Sequence, residues 1–364
     1  MLEVTDLSVR AGTFVLSQVS LKVLPSSCHV ILGPTGSGKT LLMESVIGLR
    51  NPQTGKVILE GKNITCLPME QRGLSYVPQD LALFPHMTVR QNILYPIRIR
   101  GGKQNFEKGI VRELIDSLSI GYLLDRSVKN LSGGERQRTA LARAVASGCK
   151  YLVLDEPLSA LHESLKTELW YLLKDLQKRY ELAILMVTHD LEEAFFLGDV
   201  ISVIIDGKLR QQGGKRDVYK FPYREDVARF LGVQNLFRAR IERINEYSWI
   251  AICEDLGVSL SLSTQWSKLA TKNNNDFILG IRPQDVAVST DGKSISDSSN
   301  ILEGTIIAIF ESGASWKVII ACGNRPEKVE LVMHCSASTG LKIVAGQKIL
   351  IHLPKENLFL IEPA

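Results

Sequence analysis

The sequence predicts an α/β domain over residues 1 to about 232, followed by an all-β domain over 233–364. Three observations predict this division. Apolar runs such as "HVIL" (29–32), "YLVLD" (151–155) and "LAILMVTHD" (182–190) alternate with helix-spaced segments, as in a parallel sheet covered on both faces. After "VARFLGVQN" the chain becomes a series of short strands separated by Gly, Asn, Ser and Pro, the pattern of a small β-barrel or sandwich. At 364 residues the chain is also longer than one average domain.

In chain order, "VTDLSVR" and "QVSLKV" alternate apolar and polar residues and read as half-buried strands. "HVIL" is a buried strand running into a Gly-rich turn and then a helix from about Lys39 to Leu49. Segments 106–120 and 135–147 have helical spacing. "YLVLD" reads as a central strand, expected directly beside the strand of the Gly-rich turn. Residues 163–179 form a helix, "LAILMVTHD" a strand, 191–197 a helix, and "VISVII" a strand closed by an Asp206-Gly207 turn.

The second domain offers the strands "LFRARIERI", "SWIAICE", "DFILGI", "GTIIAIF", "SWKVIIAC", "KVELVM" and "KILIHL". "NLFRARIERI…SWIAI" from Asn235 resembles "NILEGTIIAI…SWKVII" from Asn300, and "ILGIRPQD" (278–285) echoes "ILIHLPKE" (349–356). The reading is two related β units, about 236–288 and 300–362, joined by the polar stretch 289–299; coincidence among β-rich segments is the other reading.

Composition excludes several classes. A net charge of +4 with no basic block gives no reason to expect nucleic acid. The six cysteines contain no C-x-x-C pair, which argues against a zinc site or disulfide scaffold and fits a reducing cytoplasm. "MLEVTDLSVR" lacks the basic-then-apolar pattern of a signal peptide, and no apolar run reaches the roughly 18–20 residues of a membrane span. If the chain serves a membrane, it is expected to do so from outside the lipid.

"GPTGSGKT" (33–40) fits G-x-x-x-x-G-K-[ST] after a strand and before a helix. In Gly33, Pro34, Thr35, Gly36, Ser37, Gly38, Lys39 and Thr40, the glycines let backbone N–H groups curl around phosphate oxygens. Lys39 reaches the β and γ phosphates, and the Thr40 hydroxyl is suited to Mg²⁺. Opening on the same crevice, Asp155 is placed to hold Mg²⁺ through water. Glu156 is placed to orient and deprotonate a water attacking the γ-phosphate. "LSGGERQR" (131–138) is a second anion-binding helix terminus. One nucleotide does not need two such cradles, so Ser132, Gly133 and Gly134 are read as serving the nucleotide of another copy. His189 ends a buried strand and can donate to the γ-phosphate.

With these motifs in this order, residues 1 to about 232 resemble the ATP-binding subunit of an ABC transporter: P-loop "GPTGSGKT", Q-loop "VPQD" with Gln79, signature "LSGGERQR", Walker B "YLVLDEP" and switch histidine His189. The resemblance implies an ATPase that uses ATP and Mg²⁺ and closes head to tail as a homodimer around two nucleotides, with Gln79 touching Mg²⁺ or the attacking water. "DLALFPHMTVRQNI" would belong to the region that receives the membrane subunit. Two positions depart from the family pattern. His162 stands where the loop after Walker B usually has Asp, which affects communication across the dimer and leaves Glu156 in place. Ala11 stands where an aromatic usually stacks on adenine; Phe14 is the substitute, with packing inside its own strand as the other reading.

The C-terminal region, including "GIRPQDV" (280–286), resembles the oligonucleotide-binding-like regulatory module of importer ATPases. That resemblance implies a peripheral protein on the cytoplasmic face of the cell membrane. It implies two transmembrane permease subunits as partners and, indirectly, an extracytoplasmic solute-binding protein. "LPMEQRG" and "RGLSYVPQDLALFPHMTV" look most like the molybdate and tungstate branch, though sulfate, ferric iron, polyamine and sugar importers share much of this sequence. The second β unit is similar to a molybdate-binding module. Its "SDSSN" offers Ser298, Ser299 and Asn300 to an oxyanion but lacks that module's arginine. Two other classes are a soluble ABC ATPase of translation or DNA repair, which usually carries two nucleotide units or a long coiled coil, and a regulatory module that hydrolyses ATP poorly.

Overall fold

The computed structural model describes residues 1–99, 109–159, 161–245, 248–263, 276–289, 299–323, 328–336 and 343–362. Two compact units result, Met1–Val218 and Tyr219–Ala364, so the residues up to 232 that the sequence assigns to the first domain are shared between them.

The first unit is built on one sheet. Its strands are β1 (Leu2–Ala11), β2 (Phe14–Val23), β3 (Cys28–Leu32), β4 (Thr54–Leu59), β5 (Lys62–Asn63), β6 (Leu74–Val77), β7 (Tyr151–Asp155), β8 (Ala183–Thr188), β9 (Val200–Ile205) and β10 (Lys208–Gly214). They lie in the order β5-β4-β1-β2-β10-β9-β3-β8-β7-β6. The run β9-β3-β8-β7-β6 is parallel, and β3, β7 and β8 are buried at every residue, which is why they read as unbroken apolar runs. One expectation is corrected here: β7 does not lie beside β3, because β8 pairs with both and separates them. Asp206 and Gly207 turn β9 into β10 with φ of 49° and 70°, the left-handed pair that a tight hairpin needs.

Helices α1 (Lys39–Ile47), α2 (Val89–Ile99), α3 (Ile110–Ser117), α4 (Gly133–Ala146), α5 (Glu163–Tyr180) and α6 (Leu191–Leu197) complete this unit. Helix α1 buries Leu42, Met43, Val46 and Ile47 against the sheet and stops at Gly48, whose φ of 92° admits the N–H→Glu44 O bond that closes the last turn. Helix α2 contains Pro96, a helix breaker, and the sequence did not reveal it as a helix.

After α7 (Lys215–Lys220) and α8 (Glu225–Phe230), the second unit forms two antiparallel sheets. Its strands are β11 (Asn235–Asn245), β12 (Ser248–Cys253), β13 (Val258–Leu262), β14 (Asp276–Ile281), β15 (Ala287–Ser289), β16 (Ile301–Ser312), β17 (Ser315–Cys322), β18 (Val329–Ser336), β19 (Lys348–His352) and β20 (Phe359–Ile361). One sheet runs β13-β12-β11-β14-β20 and the other β18-β17-β16-β19-β15. The two orders match strand for strand, with the closing strands β15 and β20 exchanged between halves. The sequence missed β13, β15 and β20, short strands that only pairing stabilises.

A pair of asparagines repeats the same device. Asn235, at the start of β11, exchanges two hydrogen bonds of 2.7 Å with the backbone of Val332 in β18. Asn300 makes the equivalent pair to Ser261 in β13, at 2.6 and 2.9 Å, and adds one to Leu353 O. Each asparagine is buried and pins one half to the other's third strand. Both sheets contribute to one apolar core, including Phe237, Leu260 and Leu279 with Val318, Ile320 and Leu331. Arg282, also buried, donates to Leu231 O and Tyr219 O and stacks on the Tyr219 ring, tying residues 219–231 to this unit.

Candidate active site

Parallel strands that end together create the site. Register sets Leu32 of β3 opposite Thr188 of β8, and Asp155 of β7 opposite Val187 of β8. The loop 33–40, His189 and the pair Asp155–Glu156 therefore leave the same edge of the sheet.

The loop requires its glycines. A Cβ on Gly33 would lie 2.1 Å from Ile204 O, and Gly36 and Gly38 hold φ of +80° and +99°. Lys39 is 5% exposed and folds back to donate to Gly33 O and Pro34 O, each at 2.9 Å. Burial lowers the pKa of its ammonium, while the carboxylates of Glu156 and Asp155 hold it up. The result is a preformed cation that can exchange its two carbonyl acceptors for phosphate oxygens. Ser37 Oγ is buried and has no hydrogen-bond partner among the described residues, a polar atom that suits a ligand oxygen.

Asp155 is buried, and burial, then the neighbouring Glu156, raises its pKa. Tyr76 Oη donates to its carboxylate at 3.4 Å, a long bond. A buried carboxylate so thinly satisfied suits a cation. Thr40 is exposed in a cleft lined by Glu156, and Gln79 lines another cleft with Glu156, so these oxygen donors beside a single buried carboxylate fit Mg²⁺, which is bound through one or two carboxylates and completes its shell with water and phosphate.

Glu156 adopts φ +43°, unusual for a residue with a side chain. Its N–H donates to Val187 O at 3.0 Å, extending the β7–β8 pairing by one step. The carboxylate meets His189, with Nδ1 3.1 Å from Oε1. Thr35, Gly36, Lys39, Thr40, Ala11, Phe14 and Glu156 line a cleft of about 440 Å³, a size suited to a small-molecule ligand. Phe14 lines this cleft, and its ring also fills the space where a Cβ on Gly38 would lie 2.9 Å from Cε1.

Glu156 also lines a second cleft, of about 390 Å³, with Gln79, Gly133, Gln137 and Ser159. Gln79 and Glu156 thus share this second cleft, whose lining does not include the loop 33–40. Ser132 caps α4 through a reciprocal pair with Glu135, Ser132 N→Oε2 at 2.8 Å and Glu135 N→Oγ at 3.4 Å. These bonds lower the Glu135 pKa. Ser132 and Gly133 are exposed, Gly134 is buried, and none of the three lines the P-loop cleft. His162 is exposed at the N-cap of α5, makes no side-chain cap bond and lines neither cleft.

Asn300 and Ser299 belong to the second unit, and Ser298 lies outside the described residues. The Asn300 amide is committed to Ser261 and Leu353, so the structure gives it a part in folding.

Sequence reasoning missed three supports. Arg72 is 1% exposed and donates to four carbonyls, Ser45 and Val46 at the end of α1 and Thr65 and Leu67 beside it. Arg143 on α4 donates to Leu81 O and Ala82 O just after Gln79. Glu193, buried on α6, accepts from the Thr188 hydroxyl beside His189. For Arg143, an arginine within an apolar helix pattern ("ALARAVA") was the available signal. Among the described residues no helix is long and apolar enough to cross a membrane.

Comparison with known proteins agrees with this geometry. The family model described as "ABC transporter" matches residues 16–159. The chain is 36% identical over 327 residues to the molybdate/tungstate import ATP-binding protein WtpC of Pyrococcus horikoshii, covering 89% of each. It is 35% identical over 276 residues to the spermidine/putrescine import ATP-binding protein PotA of Photobacterium profundum, covering 76% of this chain and 73% of that one. A solved ATP-binding cassette of an ABC transporter in its ADP conformation shares the fold, with a TM-score of 0.54 and 24% identity over 63% of this chain and 97% of that one. From nucleotide cleft to end-to-end likeness, this chain belongs to the ABC transporter family, as an ATP-hydrolysing ATP-binding subunit of the import type.

Proposed function

We propose that the chain drives import of molybdate- or tungstate-type oxyanions. In this reading it acts as a homodimer on the cytoplasmic face of the membrane, bound to two permease subunits served by an extracytoplasmic binding protein. The observation that carries the oxyanion assignment is the 36% identity to a molybdate/tungstate import protein across 89% of both chains. Similarity of 35% to a polyamine import protein supports the second reading, a polyamine importer.

In this reading the loop 33–40 binds the phosphates of ATP, and Lys39 trades its loop carbonyls for them. Mg²⁺, held by Thr40, Gln79 and, through water, Asp155, would supply charge neutralisation of the phosphate oxygens. Glu156 accepts the proton of the attacking water; His189, hydrogen-bonded to it, orients that carboxylate and can donate to the γ-phosphate. Phe14, which lines the P-loop cleft, takes the place of the aromatic that stacks on adenine. Ser132, Gly133 and Gly134 complete the partner's site. The exposure of Ser132 and Gly133, and the absence of all three from the P-loop cleft of their own chain, support this role. His162 sits where communication between the two copies would pass.

Uptake of labelled molybdate and labelled spermidine, in cells carrying or lacking this chain, tests the assignment. Loss of molybdate uptake, restored by wild type and not by Glu156→Gln, is expected. Loss of spermidine uptake alone would replace the oxyanion reading with the polyamine one.

A further inference from the structure

The segment after Gln79 is held in an unusual shape by a residue far along the signature helix. Leu81 and Ala82 follow one another at φ +65° and +41°, two left-handed residues with side chains in succession. Ala82 N–H donates to Asp80 Oδ1 at 3.2 Å, which supports the turn from within. From outside, Arg143 Nη1 donates to Ala82 O at 2.6 Å and Nη2 to Leu81 O at 2.7 Å, and its guanidinium lies over the Phe84 ring at 5.4 Å. The Phe84 backbone is in turn fixed by buried Asn92, which accepts from Phe84 N and donates to Phe84 O.

Arg143 stands eleven residues beyond Ser132 on the cap and body of α4, a separation of roughly 16 Å along one continuous helix. The same end of α4 is fastened to β6, where Ser75 Oγ donates to Ala144 O at 2.8 Å. A planar guanidinium suits this geometry, because one group holds two adjacent carbonyls and a ring face at once, which an ammonium does not.

We propose that Arg143 is a positioning residue that locks the Gln79 loop to the signature helix, so that Gln79 and Ser132 shift as one body when nucleotide binds. The proposal rests on the reading of Gln79 and Ser132 given above and deepens it. It assigns to one side chain the link between Gln79, which lines a cleft with Glu156 of its own chain, and a group serving the partner's nucleotide.

A double-mutant cycle on the full chain tests it, with ATP turnover, KM for ATP, ADP affinity and thermal unfolding measured for each variant. Arg143→Ala is expected to lower kcat roughly 10-fold, as misplacement of a positioning group does, and to leave ADP affinity unchanged. Gln79→Ala is expected to lower kcat as well, and the double variant to fall no further than the worse single one. Arg143→Lys, which keeps the charge and can hold one carbonyl, should recover part of the turnover at wild-type melting temperature. Multiplicative losses in the double variant, or full turnover in Arg143→Ala, overturn the proposal. So does full turnover in Gln79→Ala, since the lock would then hold nothing of consequence. Should Arg143→Ala fail to fold, Arg143→Lys in the same cycle decides by the same criterion. The reading of the site itself fails separately, if Glu156→Gln hydrolyses ATP as fast as wild type.

Discussion

His189 Nδ1 lies 3.1 Å from Glu156 Oε1, and Glu156 reaches it from a left-handed backbone position at φ +43°. The two residues come from ends of neighbouring strands, β8 and β7, and the bond between them fixes the direction of the carboxylate. A side-chain-bearing residue in that conformation is uncommon, and here the Val187 carbonyl and His189 hold it in place.

The first prediction concerns that pair. If Glu156 is the base, as proposed, Glu156→Gln keeps the shape and removes it, so turnover should fall by about 10²–10⁴-fold while ATP still binds. His189→Ala leaves the base and removes its orientation, so the loss should be smaller. Steady-state hydrolysis with a parallel nucleotide-binding titration checks both. Equal turnover in Glu156→Gln and wild type would remove Glu156 from the chemistry.

Arg72 predicts a stability effect far larger than a surface arginine would have. Its four carbonyl acceptors, on Ser45, Val46, Thr65 and Leu67, lose this donor in Arg72→Met, at a cost of roughly 3–5 kcal/mol. For a unit of this size the melting temperature should drop by roughly 10 °C. Arg72→Lys should recover little, because one ammonium cannot span four carbonyls in a fixed plane. Calorimetry of the three proteins measures it.

Glu193 sets a pH dependence. Burial pushes its carboxyl from 4.5 up to about 7, with the Thr188 hydroxyl opposing that rise, nearby Asp190 adding to it and Lys166 and His189 working against it. The folded protein therefore holds a proton that the unfolded chain releases. The stability linked to it is full below the unfolded pKa of 4.5 and is lost as pH rises through about 7. Glu193→Gln should cancel this slope and gain on the order of 2–3 kcal/mol over wild type at pH 8 compared with pH 4.5. Denaturant midpoints across that range test it; parallel curves for the two proteins would count against the buried-proton account.

His162 predicts a gain. It is the N-cap of α5 and leaves the first-turn N–H groups without a side-chain acceptor from the cap. His162→Asp supplies one at the positive end of the helix dipole and should add about 1 kcal/mol, or roughly 2–4 °C in melting temperature. Turnover measured on the same variant separates the cap from any part His162 plays in communication between copies.

Much of this protein was legible in the sequence because its chemistry is local. The loop 33–40 encodes part of its curl through Gly36 and Gly38, whose φ of +80° and +99° favour a residue without a Cβ, while Gly33 is required by the close approach of Ile204 O. Apolar runs announced β3, β7 and β8 because each is buried on both faces, and the Ser132–Glu135 cap is written within four consecutive residues. The order of strands across the sheet was not legible. Pairing energy is nearly the same for any two apolar parallel strands, so only packing of the whole unit places β8 between β3 and β7. Nor could sequence show that Arg72, Arg143 and Asn300 spend their donors on backbone carbonyls from far along the chain. Tertiary folding brings these donors to carbonyl groups that local structure leaves unpaired, and where such a carbonyl is buried, as around Arg72 and Asn300, it must find a donor wherever the fold brings one.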